Sequence, residues 1–544
     1  MHSYTTDMTL EEQIGQLLMV GFWETVPSQE IIDLIQHYHV GSIILFSRNI
    51  QNLLQVFELT QSLQAIARAA GHRRPLLIAI DQENGNVRRL GQDATIFPGN
   101  MTLGAIGSEQ VTYEVAQAAG RELKALGINM NLAPVADVNN NPANPAIGVR
   151  SFGEDPHEVA RLTAAAVRGY RAAGVIATLK HFPGHGDTAI DSHLALPTIP
   201  STLERLEAIE LVPFRSGIEA GAPSVMTAHI YLPHIMSHDV LPATISPAVI
   251  QGLLRERLGF TGVVISDCME MNAITETVGA ERGALMALQA GNDLVLVSHT
   301  HPLQKASFAT IRAALENGEL APDVVRQAAE RVLQLKDRYL SWDNLPTPSA
   351  LADVGSAAHQ QLRDRAYELS ITLVRNQQAL IPLHLAPHER ILVLSQHNGA
   401  FSQAVDKYFS LEYLAACIRR RHENVQAISA PPLPTEDEYQ QQILQILQTA
   451  GEVDVIIMAT VNANLDQQQA KMMQGLMQTG RRVIGIAVGT PYDLLAFPQL
   501  GTYLVTYEYS QPALDAVVRV LFGEIQAQGH LPVSLPGLYA RGQG

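Results

Sequence analysis

Residues 180–193 read KHFPGHGDTAIDSH, and this one stretch holds three histidines, two aspartates and a lysine. Three kinds of chemistry fit those residue types. Metal binding is the first, since His181 and His185 are four apart and Asp187, Asp191 and His193 are further ligand types. Pro183 and Gly184 work against it, because they break the helix that H-x3-H needs to converge. The second is structural: a histidine satisfied by backbone carbonyls in a tight loop, with His185 the candidate. The third is proton transfer. Asp191 and His193 are two apart, so in an extended segment both side chains share a face and the carboxylate orients the imidazole. An imidazole held this way is a general acid with a resting pKa near neutrality.

Other candidates stand where apolar runs stop. Asp267 ends GVVISD and is followed by Glu270, so it reads either as a nucleophile or as half of a capping box for the next helix. Asp81 ends LLIAID and opens DQENGNVRRL, where Glu83, Arg88 and Arg89 follow. A carboxylate beside a cation grips vicinal hydroxyls of a sugar, one accepting and the other donating. Glu83 and Arg88 read more simply as an ion pair.

Eight short apolar runs precede residue 300: LLMVG, SIILF, LLIAID, NMNLAP, VIATLK, SVMTAH, GVVISD and DLVLVS. Segments of helical period separate them. This βα rhythm predicts an α/β fold, a (β/α)8 TIM-type barrel, whose strand ends Asp81, Lys180, His229 and Asp267 meet on one face. Pro, Ser and Asp interrupt the pattern near SWDNLPTPSALADVGS. The expected organisation is therefore a barrel over 1–341, a linker over 342–382 and a smaller α/β domain with a mostly parallel sheet over 383–544. RILVLSQ, VDVIIMAT, RRVIGIAV and TYLVTYEY are its expected strands.

Composition narrows the function classes. The 544 residues are 47% hydrophobic and 17% charged, which supplies ample core. A formal net charge of -16 disfavours nucleic acid as a partner. Two cysteines make no disulfide framework, and no run approaches a membrane span, so a soluble, cytoplasmic protein with no membrane partner is expected.

Taken together, DQENG, NLAPVADVN, IGVRSFGEDP, KHFPGHGDT, DSH and VISDCMEM, then ELSITLVRNQQALIPL and GHLPVSLPG, resemble family 3 glycoside hydrolases in their β-N-acetylglucosaminidase branch. The resemblance spans nearly the whole chain. It implies a retaining hydrolase acting on small glycans, with Asp267 as nucleophile, His193 as acid/base and Asp191 as its orienting partner. It also implies that Asp81, Arg89, Arg150, Lys180 and His181 hold the sugar, with no metal or organic cofactor, and that the second domain does not supply the proton. Phosphorylases of this branch and β-glucosidases of the family are the alternatives; a non-catalytic sugar-binding protein is a more distant one. Two departures stand out: Asn84 replaces a glycine of the usual DQEGG, and Cys268 stands where an aspartate is common.

Overall fold

The computed structural model describes the chain except residues 1–3, 6, 189–190, 193, 237–239, 397–409, 432 and 434. The eight expected apolar runs are all strands: β1 (Leu18–Val20), β2 (Ser42–Leu45), β3 (Leu77–Ile80), β4 (Met130–Asn131), β5 (Ile176–Phe182), β6 (Ser224–Thr227), β7 (Val263–Ser266) and β8 (Val295–Val297). They pair in parallel in the order β7-β6-β5-β4-β3-β2-β1-β8. An isolated parallel bridge between Ile265 and Leu294 joins β7 to β8, so the barrel is nearly closed.

These strands are buried along their length because one face fills the barrel and the other meets helices. Met19, Ile44, Leu77, Ala79, Met130, Ile176, Ile265 and Leu296 cluster together as the interior. A larger layer outside, with Leu18, Val20, Ile43, Leu45, Ile78 and Ile80, packs against helices such as Leu53–Ala69. That filled interior leaves the carboxyl ends of the strands as the place for a site.

The second sheet has the order β11-β10-β12-β13-β14-β9. Its strands are β9 (Thr372–Asn376), β10 (Ile391–Gln396), β11 (Val425–Ala430), β12 (Val455–Thr460), β13 (Arg482–Ala487) and β14 (Thr502–Val505). All neighbours are parallel except β14 and β9. β9 lies inside the stretch expected as linker: its Leu373 and Val374 run antiparallel to β14, preceded by the helix Ala357–Ser370. β11 went unforeseen too. Its sequence, VQAISA, alternates polar and apolar at a half-exposed sheet edge.

The two domains share a packed boundary. Met101 and Ala105, on the barrel-side helix Asn100–Ile106, belong to the same apolar cluster as Tyr492, Tyr507 and Leu531 of the second domain. Among the described residues no helix is long and apolar enough to cross a membrane.

Candidate active site

A cavity of about 390 Å³ opens at the carboxyl end of the barrel, lined by Asp81, Arg89, Arg150, Lys180, His181, Asp191 and Asp267 among others. Seven of the eight residues singled out from sequence therefore meet in one place. The eighth, His193, lies outside the described residues.

Lys180 sits within β5 rather than after it, and its ammonium is buried. Its Nζ lies 2.7 Å from Asp81 Oδ1 and 2.6 Å from Glu83 Oε1. Arg150, on a short 3-10 turn, donates to both carboxylate oxygens of Glu83 at 2.8 and 2.7 Å. Glu83 thus pairs with Arg150 and Lys180, not with Arg88 as its sequence neighbourhood had indicated. Burial opposes ionisation of Glu83, but Arg150 and Lys180 outweigh it and hold the carboxyl well below the usual range. Asp81 and then Glu83 reverse the burial penalty on Lys180, and Glu83 does so for Arg150, raising both above their ordinary values. The cavity wall is therefore a fixed lattice of charged donors and acceptors.

His181 is oriented from behind. Its Nδ1 donates to Asp137 Oδ2 at 2.7 Å, and Arg150 Nη2 approaches its Nε2 at 3.3 Å. Asp137 also accepts the backbone N–H of His185 at 2.7 Å, so one buried carboxylate ties together two points of the loop. Sequence reasoning missed Asp137; the available signal was a carboxylate inside the quoted NLAPVADVN. Burial works against its charge, and His181 more than compensates, lowering its pKa.

His185 has the structural role expected of it, with different partners. Its ring nitrogens meet the hydroxyls of Thr188 at 3.0 Å and Ser192 at 3.0 Å, not backbone carbonyls. Burial, reinforced by His181, pushes its pKa down to about 4, so the ring is neutral. Through Ser192 it pins the segment that carries Asp191. Gly186 is required here because a Cβ would lie 1.7 Å from the Val138 carbonyl oxygen. With their ring nitrogens engaged, His181 and His185 do not present the open pair that the metal reading needs. Among the described residues no group of three or more His, Cys, Asp or Glu is arranged to hold a metal ion.

Asp191 is buried and its carbonyl accepts from Leu194 and Ala195 at 2.9 and 3.2 Å. The orientation of His193 by Asp191 expected from the DSH spacing falls on His193, which lies outside the described residues. Asp267 follows β7 directly, and its Oδ1 accepts the Cys268 N–H at 2.7 Å. The alternative capping box is absent: Glu270 instead accepts the backbone N–H of His299 at 2.6 Å, and the short helix Asn272–Thr275 starts with Met271 as its N-cap. Cys268 is buried and its thiol is pushed up to about 12 by burial, which leaves it an inert wall beside Asp267. His229, the remaining strand-end residue, is fully buried behind this loop, with Nε2 donating to the Cys268 carbonyl at 2.9 Å.

One side of the mouth carries residues that sequence reasoning did not single out. Arg48 lies between two aromatic rings, 4.4 Å from the Trp23 centroid and 4.3 Å from that of Phe46. Trp23 Nε1 donates to the His299 carbonyl at 2.9 Å, which fixes the indole although it is 62% exposed. Trp23 is one of two tryptophans in the chain, and that rarity was its only signal.

A sequence profile described as the glycosyl hydrolase family 3 N-terminal domain matches residues 9–335, and one described as the family's C-terminal domain matches residues 371–540. The chain belongs to glycosyl hydrolase family 3. Beta-hexosaminidase A of Pseudoalteromonas piscicida is 31% identical, with 97% of each chain covered. The solved family 3 β-N-acetylglucosaminidase of Paenibacillus sp. str. FPU-7 superposes with a TM-score of 0.89 at 40% identity, over 97% of this chain and 99% of that one. A fungal multi-domain family 3 β-N-acetylglucosaminidase reaches a TM-score of 0.92 at 47% identity, and this chain spans 62% of its length.

Proposed function

We propose that the protein is an exo-acting, retaining β-N-acetylglucosaminidase that removes terminal GlcNAc from small glycans. In the first step Asp267 attacks the anomeric carbon while His193, oriented by Asp191, protonates the departing oxygen. A covalent glycosyl-aspartate results. In the second step His193 takes a proton from water, the water oxygen bonds to the anomeric carbon, and Asp267 leaves as carboxylate. Asp81, Arg89, Arg150, Lys180 and His181 hold the hydroxyls of the sugar, and Glu83 keeps the two cations in place.

The reading rests above all on Asp191 and Asp267 lining one cavity with the charged lattice around Glu83. A sugar-binding protein needs the lattice but not a nucleophile with a proton donor. The names of the relatives agree in activity. Chitooligosaccharides or peptidoglycan fragments are the proposed substrates, and the fixed ring of Trp23, which lines the cavity, supports this as an apolar face for a further sugar. A cytoplasmic location, with imported fragments as substrate, is part of the same proposal.

The test is product analysis from an aryl β-N-acetylglucosaminide, with and without phosphate, beside an aryl β-glucoside and an Asp267→Ala control. Free GlcNAc formed without phosphate and lost in the variant is expected. GlcNAc 1-phosphate would make the enzyme a phosphorylase, and turnover of the glucoside alone would make it a glucosidase.

A further inference from the structure

The second domain places one ionisable group directly behind the sugar cavity. Glu508 follows β14 and is 1% exposed. It lines a recess of about 10 Å³ between the domains, together with Glu83, Asn84, Gly85, Thr102 and Arg150. Glu83 and Arg150 also line the sugar cavity, so the two spaces share a wall one side chain thick.

The turn that forms this wall is shaped around Glu508. Asn84 and Gly85 have φ of 71° and 57°, a left-handed pair that asparagine and glycine tolerate. A Cβ on Gly85 would lie 2.9 Å from Glu508 Oε2 and 2.9 Å from Gly99 Cα. Thr102 donates its hydroxyl to Glu508 Oε1 at 3.4 Å. Tyr367, whose OH accepts from Ser510 Oγ at 3.0 Å, and the Gly99 amide complete the surroundings.

Arg88 comes from the same turn and is 6% exposed. Its Nε and Nη1 have no hydrogen-bond partner among the described residues, whereas the Glu508 carboxyl has the Tyr367 hydroxyl, the Gly99 amide and the Thr102 hydroxyl around it. The ionisable groups acting on the Arg88 guanidinium are Tyr367 and Glu508. A buried guanidinium on the turn 83–89 and a buried carboxyl of the second domain, set against Gly85 of the same turn, thus lie on the two sides of the domain boundary close enough to act on each other's charge. Such groups are costly to keep unless they hold something in place. Both bear on the turn between Glu83 and Arg89: Arg88 belongs to it, and Gly85 leaves no room for a Cβ against Glu508 Oε2.

We propose that Glu508 and Arg88 are a positioning pair: the second-domain carboxyl fixes the turn 83–89 and, through it, the sugar-holding geometry of Glu83, Arg89 and Arg150. The second domain is then part of the sugar site without touching sugar. Burial pushes Glu508 up to about 7, so a neutral carboxamide is a fair replacement for it near neutral pH. The proposal rests on the glycosidase reading only for the choice of ligand.

The experiment compares wild type with Glu508→Gln, Glu508→Ala, Arg88→Met and the Glu508→Ala/Arg88→Met double variant, all in the full chain. GlcNAc affinity is read by calorimetry and kcat/KM with aryl β-N-acetylglucosaminides of good and poor leaving groups. Glu508→Ala and Arg88→Met are expected to weaken GlcNAc binding and kcat/KM by ~10- to 100-fold, equally for both leaving groups, as misplacement of binding groups does. Glu508→Gln keeps most activity, and the double variant is no worse than the poorer single one. Arg88→Met also serves if Glu508→Ala fails to fold. Wild-type affinity and kcat/KM in folded Glu508→Ala or Arg88→Met would overturn the proposal. A loss confined to poor leaving groups would overturn it too, making Glu508 a proton donor. Failure of wild type to bind GlcNAc or turn over either glycoside would instead sink the glycosidase reading.

Discussion

Replacing Glu83 tests the charged lattice at its centre. The carboxylate takes two bonds from Arg150, at 2.8 and 2.7 Å, and a third contact from Lys180 at 2.6 Å. Side-chain exposure is 3% for Glu83, 10% for Arg150 and 2% for Lys180, so each charge relies on its protein partners rather than on bulk solvent. In Glu83→Ala, Lys180 retains Asp81 at 2.7 Å, whereas Arg150 keeps only the neutral Ala146 carbonyl and His181. Breaking a buried pair from one side costs ~3–5 kcal/mol, and the carboxamide of Glu83→Gln, which keeps the shape, ~1–3 kcal/mol. Denaturant unfolding at pH 7 measures both. The pH dependence is a second readout. The folded pKa of Glu83 is depressed, so its contribution is present above the unfolded value, about 4.3, and is lost as pH falls through the folded value. The stability gap between wild type and Glu83→Gln is therefore full at neutral pH and narrows below about pH 4. A Glu83→Gln protein within ~0.5 kcal/mol of wild type at pH 7, with a gap insensitive to acid, would refute the reasoning.

Three further outcomes follow from the same geometry. His185→Ala unpins Thr188 and Ser192 beside Asp191 and is expected to lower kcat/KM by ~10-fold or more without creating a metal dependence; steady-state kinetics with and without chelator checks this. Trp23→Ala should raise KM for chitobiose several-fold while leaving KM for an aryl glycoside within about twofold, the proposed role of the ring being to carry a second sugar. Lys336 is buried with Nζ donating to Gln16 Oε1 and the Gly41 carbonyl, and burial brings its pKa down to about 7. Between that value and about 10.4 the unfolded chain holds a proton that the folded one lacks, so wild-type stability rises with pH there. Unfolding at pH 7 and pH 9.5 should show Lys336→Met losing ground to wild type as pH rises.

The barrel was legible in the sequence because its strands are covered on both faces and so read as unbroken apolar runs, SIILF and GVVISD being the plainest. β11 was not, because one face of VQAISA meets water and its polar residues mask the run. Site residues at strand ends could be found because parallel strands deliver their carboxyl ends to one place. Pairings could not. Arg88 stands five residues from Glu83, yet the actual partner Arg150 is 67 residues away, brought in by a turn packed on the second domain. Asp137 stands in the quoted NLAPVADVN, but its pairing with His181, 44 residues away, arises from burial against a distant segment rather than from local spacing.

The most direct test of the central claim, that Asp267 becomes covalently glycosylated, is mass spectrometry of the enzyme quenched while turning over a slow, activated 5-fluoro derivative of an aryl β-N-acetylglucosaminide. The account predicts a glycosyl adduct on the peptide containing Asp267, absent from Asp267→Ala. Turnover of the probe with no adduct, or with the adduct on another carboxylate, would contradict it.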